Sequence, residues 1–220
     1  MRDVPGLVDG YRRFLATRYP QEAALYRSLA KAGQAPRMMV IACCDSRIDP
    51  AAIFSAGPGQ LFTVRNVANL VPPFEPHGDY HATSAALEFA VTGLKVEMIL
   101  VMGHARCGGV RAFLDGLYER SAKRGFIDRW MSLLNAARIE ALRGTAGGPI
   151  EAQQQALEHA SVRHSIENLQ TFPFIRERLA SGQLRLRGAY FDIADGRLFA
   201  LDPESGRFGP LDRCGAYADS

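Results

Sequence analysis

No apolar run in this chain reaches the roughly 20 residues that a membrane span requires. The N-terminal stretch "MRDVPGLVDGYRRF" is interrupted by charge and carries no apolar signal core, so a cytoplasmic protein is expected. Cysteine is scarce. Cys43, Cys44, Cys107 and Cys214 are too few to staple a chain of 220 residues, which excludes a disulfide scaffold. Thiols near a histidine in a reducing compartment are candidates for metal ligands or nucleophiles instead. Charge of one sign is not in excess: the net charge is +3, basic residues are scattered, and no aromatic cluster interleaves them. Neither a nucleic-acid surface nor a membrane partner is expected. Repeats and low-complexity tracts are absent as well.

What is present suits one core. With 47% hydrophobic residues, the chain is read as a single domain over 1–220, comprising an N-terminal helical arm over 1–32 and an α/β core over 37–220. Helices are expected over 6–18 and 21–31, separated by Pro20. The first has an apolar stripe (Leu7, Tyr11, Phe14, Leu15) and a basic face, which fits equally an arm docking on a neighbour or a helix covering its own sheet. "RMMVIAC", "QLFTVRN" and "VEMILVMGH" read as strands. The third is apolar throughout, as a parallel strand covered on both faces requires. "ATSAALEFAVTGL" reads as a helix capped by Thr83 or Ser84 and stopped at Gly93. Further helices are expected over "GGVRAFLDGLYER", over 123–143, and over 150–181 with a possible kink at Pro173. "QLRLRGAYFDIADGRLFALD" alternates on either side of Asp195-Gly196, the pattern of a C-terminal hairpin. This order argues for a mostly parallel central sheet flanked by helices.

Two strand ends carry the chemistry. "VIACCDSR" runs from a buried strand into two thiols, a carboxylate and a guanidinium; "LVMGHARCGG" ends a second strand in His104 and opens a helix near Cys107. If the strands are neighbours, a vicinal cysteine meets His104 and Cys107 beyond their carboxyl ends. Gly103, Gly108 and Gly109 would let backbone approach closely there, and the helix dipole would favour a thiolate. Two thiolates and an imidazole suit Zn²⁺, with a fourth position open. Spacing alone does not choose between Cys43 and Cys44. Taken singly, each feature has an ordinary reading: a buried cysteine as a small core residue, Asp45 and Arg47 as a solvated ion pair. His77 and His81 form an H-x₃-H pattern without supporting cysteines or carboxylates. His159 and His164 are expected at a surface or interface, and Cys214 in a polar tail.

C-x-D-S-R followed by H-x-x-C-G-G resembles the β-class carbonic anhydrases. "KAGQAPRMMVIACCDSR", "LFTVRNVANLVPP", "SAALEFAVTGLKVE" and "GHARCGGV" are similar to family segments in family order. The resemblance implies that Cys43, His104 and Cys107 bind one zinc ion, that Cys44 is a neighbour without a metal role, and that Asp45 and Arg47 form a catalytic dyad. It places Gln34 and the backbone near Gly108 at the substrate oxygens, and Phe62, Val67 and Phe89 on an apolar pocket wall. The expected reaction is reversible hydration of CO₂ to bicarbonate and a proton. Two thiolates neutralise Zn²⁺, so activity is expected to rise on the alkaline side of neutral. Val40 and Phe191 stand where a second branch of the family has tryptophan and tyrosine, so the chain resembles the plant-like branch, although Phe89 replaces a tyrosine seen there. That branch implies Arg47 holding Asp45 off the metal, and no bicarbonate switch at Arg65. Homodimers or tetramers are implied, with the pocket between subunits. Hydrolysis of carbon disulfide or carbonyl sulfide, and a non-catalytic zinc or redox role for Cys43 and Cys44, are the competing expectations.

Overall fold

The computed structural model describes residues 6–77, 81–117 and 125–211. Its six strands lie in the order β2-β1-β3-β4-β5-β6, comprising β1 (Met38–Cys43), β2 (Leu61–Asn66), β3 (Met98–His104), β4 (Arg185–Asp192), β5 (Arg197–Leu201) and β6 (Phe208–Pro210). The first four strands are parallel; β4, β5 and β6 pair antiparallel. From β1 the chain crosses to β2 on one side and then to β3 on the other, so the order reverses between β1 and β3. In open α/β sheets that reversal leaves a crevice at the strand carboxyl ends.

Period-two alternation along β1 and β3 feeds two cores. Val40, Ala42, Leu100 and Met102 pack on one face with Val110 and Phe113 of α5 (Gly108–Leu114) and with Leu157 and Ala160 of α8 (Ile150–Leu169). Met39, Ile41, Ile99 and Val101 pack on the other with Leu87 of α4 (Ala82–Glu88) and Ile175 of α9 (Pro173–Ala180). Both faces are covered, which is why these strands carry no polar alternation. Short helices α3 (Pro50–Ile53), α6 (Phe126–Met131) and α7 (Asn135–Thr145) fill the connections.

Several local expectations are corrected. Pro20 does not separate two helices: α1 (Leu7–Arg13) runs through a π-helical turn at Phe14–Arg18 into α2 (Tyr19–Ala32). The Tyr19 N–H bonds the Phe14 carbonyl, five residues back, and Pro20 sits in the first turn of α2, where no N–H is needed. α4 begins at Ala82 with His81 in the cap position; Thr83 is buried and its hydroxyl lies 3.5 Å from Asn66 Nδ2 instead of capping. The helix expected over 150–181 is two helices, because the chain turns at Gln170–Phe172 and Pro173 starts α9. The sheet also gains β6, three residues too short to carry a sequence signal. Part of the helix expected after Gly108 and Cys214 lie outside the described residues.

Candidate metal centre

β1 ends at Cys43, buried with its side chain toward the core, so alternation turns Cys44 outward to solvent. β3 ends at His104 one strand away, and Cys107 sits at the cap position of α5. One ligand atom from each of Cys43, His104 and Cys107 lies within 4.8 Å of the other two. Among the described residues no other group of histidines, cysteines and carboxylates gathers this way, so His77 and His81 form no such site.

This donor set fits a zinc ion. The Sγ atoms of Cys43 and Cys107 are 3.9 Å apart; tetrahedral Zn²⁺ with Zn–S near 2.3 Å separates two thiolates by about 3.8 Å. The contact between the two sulfurs holds the Cys43 thiol below its ordinary value, while the same contact and burial push the Cys107 thiol up. Two adjacent buried thiolates need a positive ion between them. His104 Nδ1 donates to the Ala105 carbonyl at 2.9 Å, which leaves Nε2 as a bare lone pair. That Nε2 is buried and has no hydrogen-bond partner among the described residues. An orphaned acceptor beside two thiols is what a metal would satisfy.

Asp45 stands at the rim. Arg47 donates to it through Nε (Oδ1, 2.9 Å), Nη2 (Oδ2, 2.7 Å) and its backbone N–H (Oδ1, 2.9 Å). These bonds hold the Asp45 carboxyl well below the usual carboxylate range. Its Oδ2 lies 3.9 Å from His104 Nε2. Arg47 in turn donates to the carbonyl of Arg106, which lies in the left-handed region at φ 56°. Arg65 gathers the carbonyls of Cys43, Asp45 and Ile48 at 3.0, 2.7 and 2.7 Å. It thereby ties down the loop that carries both the thiol and the carboxylate.

The remaining expected residues divide. Val67 follows β2 directly; its carbonyl accepts from the Trp130 indole at 2.8 Å, and the next residue, Ala68, points its N–H at Cys43 Sγ at 3.4 Å. Ala68 and Asn69 both lie in the left-handed region, at φ 64° and 50°, and this turn aims that N–H. Phe62 and Phe89 form a pair with centroids 5.8 Å apart, and Phe89 is 53% exposed in the single chain. Gln34 is exposed between α2 and β1, and among the described residues no hydrogen bond joins it to the cluster. Gly103 and Gly109 permit close approach: an added Cβ would meet Val162 Cγ2 at 2.7 Å and Val67 Cγ1 at 2.9 Å, respectively. Gly108 is corrected in this respect, because its Cα faces open space at the first position of α5.

A sequence profile described as carbonic anhydrase matches residues 38–198. Beta carbonic anhydrase 5, chloroplastic, of Arabidopsis thaliana is 42% identical over 190 residues, covering 85% of this chain and 62% of that protein. The chain belongs to the β-carbonic anhydrase family. Beta carbonic anhydrase 6, mitochondrial, of the same plant is 36% identical, covering 84% of this chain and 63% of its own length. The chain therefore spans about three fifths of these two relatives. The solved structure of the β-carbonic anhydrase CcaA superposes with a TM-score of 0.85 at 30% identity, covering 93% of this chain and 90% of that one. A tetrameric β-carbonic anhydrase from Sordaria macrospora gives 0.75 at 30% identity, covering 88% and 94%. No helix among the described residues is long and apolar enough to cross a membrane.

Sequence reasoning missed the support behind this β-carbonic anhydrase centre. Glu158, Gln154 and Tyr190 lie buried behind Cys107. The available signal was a Gln and a Glu four apart among the residues of α8 that bury, alongside Leu157, Ala160, Ser161, Val162 and Ser165. His159, expected at a surface or interface, packs its ring 4.4 Å from both Tyr190 and Phe208. β6 supplies Phe208, and that strand was not expected.

Proposed function

We propose that this single α/β domain is a zinc-dependent carbonic anhydrase that hydrates CO₂ reversibly to bicarbonate and a proton. The observation that carries the reading is the buried, unpartnered Nε2 of His104 facing two thiols, beside a carboxylate whose two oxygens are held by one arginine. Cys43, His104 and Cys107 hold the ion, and Cys44, turned to solvent, does not. When bound, Zn²⁺ supplies the Lewis acidity that makes hydroxide available near neutral pH.

The chain's own residues do the rest. Asp45 is kept ionised by Arg47, so it accepts a hydrogen bond from the attacking oxygen and aims a lone pair at the carbon. Because both carboxylate oxygens are occupied by Arg47, Asp45 stays off the ligand set. Phe62, Val67 and Phe89 form an apolar wall that excludes water around a small apolar substrate. Gln34 and the peptide at Gly108 hold the oxygens of the bicarbonate product. Arg65 is already spent on three carbonyls, which supports a chain without a bicarbonate switch there.

A second copy completes the pocket in this reading. Phe89 is half exposed although it belongs to the wall, and Leu7, Tyr11, Leu15 and Leu25 are exposed along the arm. A homodimer or tetramer covers both. A cytoplasmic location is part of this reading.

The test is stopped-flow CO₂ hydration with zinc measured on the same sample. One zinc per chain with rapid hydration is expected. A zinc-replete protein that leaves CO₂ unhydrated but hydrolyses carbon disulfide would overturn the substrate assignment.

A further inference from the structure

Glu158 is an expensive residue to bury. It is 2% exposed in the middle of α8, and no lysine or arginine pairs with it among the described residues. An unpaired buried carboxylate persists only where hydrogen bonds compensate it, and three do. Cys107 N–H and Gln154 Nε2 donate to Oε1, each at 2.8 Å, and the Tyr190 hydroxyl donates to Oε2 at 2.7 Å. Gln154 also donates to the Cys107 carbonyl at 3.2 Å. The peptide groups on both sides of Cys107 are therefore held from α8, while its thiol faces His104 and Cys43 on the other side.

The need for such a hold is visible in the backbone. Cys107 follows Arg106, which sits in the left-handed region at φ 56°, and it precedes a helix of only 7 residues with no side-chain cap. Locally the Cys107 carbonyl accepts the Arg111 N–H at 3.0 Å as the first bond of α5, whereas the Cys107 N–H is held by Glu158 from α8. Burial raises the Glu158 carboxyl above its ordinary value against the pull of Tyr190, Cys107 and Gln154.

We propose that Glu158, braced by Tyr190 and Gln154, is a positioning residue for the metal centre: it locks the Cys107 peptide so that the thiolate stands where the ion requires it. The proposal rests on the reading of Cys107 as a zinc ligand. It assigns Glu158 no contact with substrate. Groups that orient a ligand from behind typically govern metal retention by about 10–100-fold.

The experiment compares wild type with Glu158→Gln, which keeps the shape and removes the charge. Zinc transfer to a chromogenic chelator, the visible spectrum of the Co²⁺-substituted protein, and metal-free melting temperature are measured together. Glu158→Gln is expected to release zinc about 10–100-fold faster and to shift the thiolate-to-cobalt band. Gln154→Leu, which removes the side-chain bonds to the Cys107 carbonyl and to Glu158, is expected to shift both in the same direction, and it decides the matter should Glu158→Gln not fold. Wild-type zinc retention and an unchanged cobalt spectrum in the variants would overturn the positioning role, whatever the melting temperature. A wild-type chain that takes up neither metal overturns the metal centre itself, a distinct result.

Discussion

Arg47 meets Asp45 as a fork meets a carboxylate, Nε to Oδ1 at 2.9 Å and Nη2 to Oδ2 at 2.7 Å, with 47% of the arginine side chain still exposed. Lysine at this position offers a point charge without that planar geometry. Arg47→Lys is expected to retain one zinc per chain and to lose about 10–100-fold in kcat/KM, because a slightly misaimed carboxylate costs that much. Stopped-flow hydration with parallel metal analysis checks it; undiminished kcat/KM would show that the fork is dispensable.

Cys44 follows Cys43, the proposed metal ligand, yet points to solvent. Cys44→Ser is expected to leave zinc content and hydration rate unchanged. A variant without activity or metal would make the exposed thiol a functional group and revive the redox reading.

His159 predicts acid sensitivity. Its imidazole is held down to about 4, first by burial and then by the charge of Arg163, and its Nε2 has no partner among the described residues. The folded value lies below that of the free side chain, so the unfolded chain takes the proton first. The contribution is complete above about pH 6.5 and is lost as pH falls toward 4, by up to about 3 kcal/mol. Thermal unfolding across pH 7.5 to 4.5 should show this limb, and His159→Phe should flatten it. Equal slopes in the two proteins would remove His159 as the cause.

The sequence made the strand-end chemistry legible and hid what lies behind it. β1 and β3 announced themselves as apolar runs, and the residues after them formed a recognisable metal pattern. The same lack of polar alternation concealed register, so spacing alone did not separate Cys43 from Cys44; the family resemblance named Cys43, and the face of β1 turned to α5 and α8 supplies the physical reason. Glu158 was illegible because its partners Cys107 and Tyr190 are 51 and 32 residues distant. Pro20 misled for a local reason: a π-helical turn absorbs the missing N–H, and no pattern of side chains marks such a turn.

Gly109 has room for no side chain. A Cβ there would stand 2.9 Å from Val67 Cγ1, with Met131 Cε at 3.6 Å behind it, and valine cannot rotate away cheaply. Gly109→Ala is expected to cost about 1–3 kcal/mol in stability and to raise KM for CO₂ by displacing the pocket wall. Urea unfolding and steady-state kinetics test the two effects together; a variant with unaltered midpoint and KM would show that Val67 has space to yield.

The hydrogen bond from Trp130 to the Val67 carbonyl has an optical consequence. Trp130 is the chain's single tryptophan, and it is half-buried against the turn that presents Ala68 to Cys43. Tryptophan emission from this protein therefore reports one place, the wall beside the proposed metal ligands, and no average over the molecule. Loading, emptying or crowding of that cavity can be followed by ultraviolet fluorescence without attaching a dye.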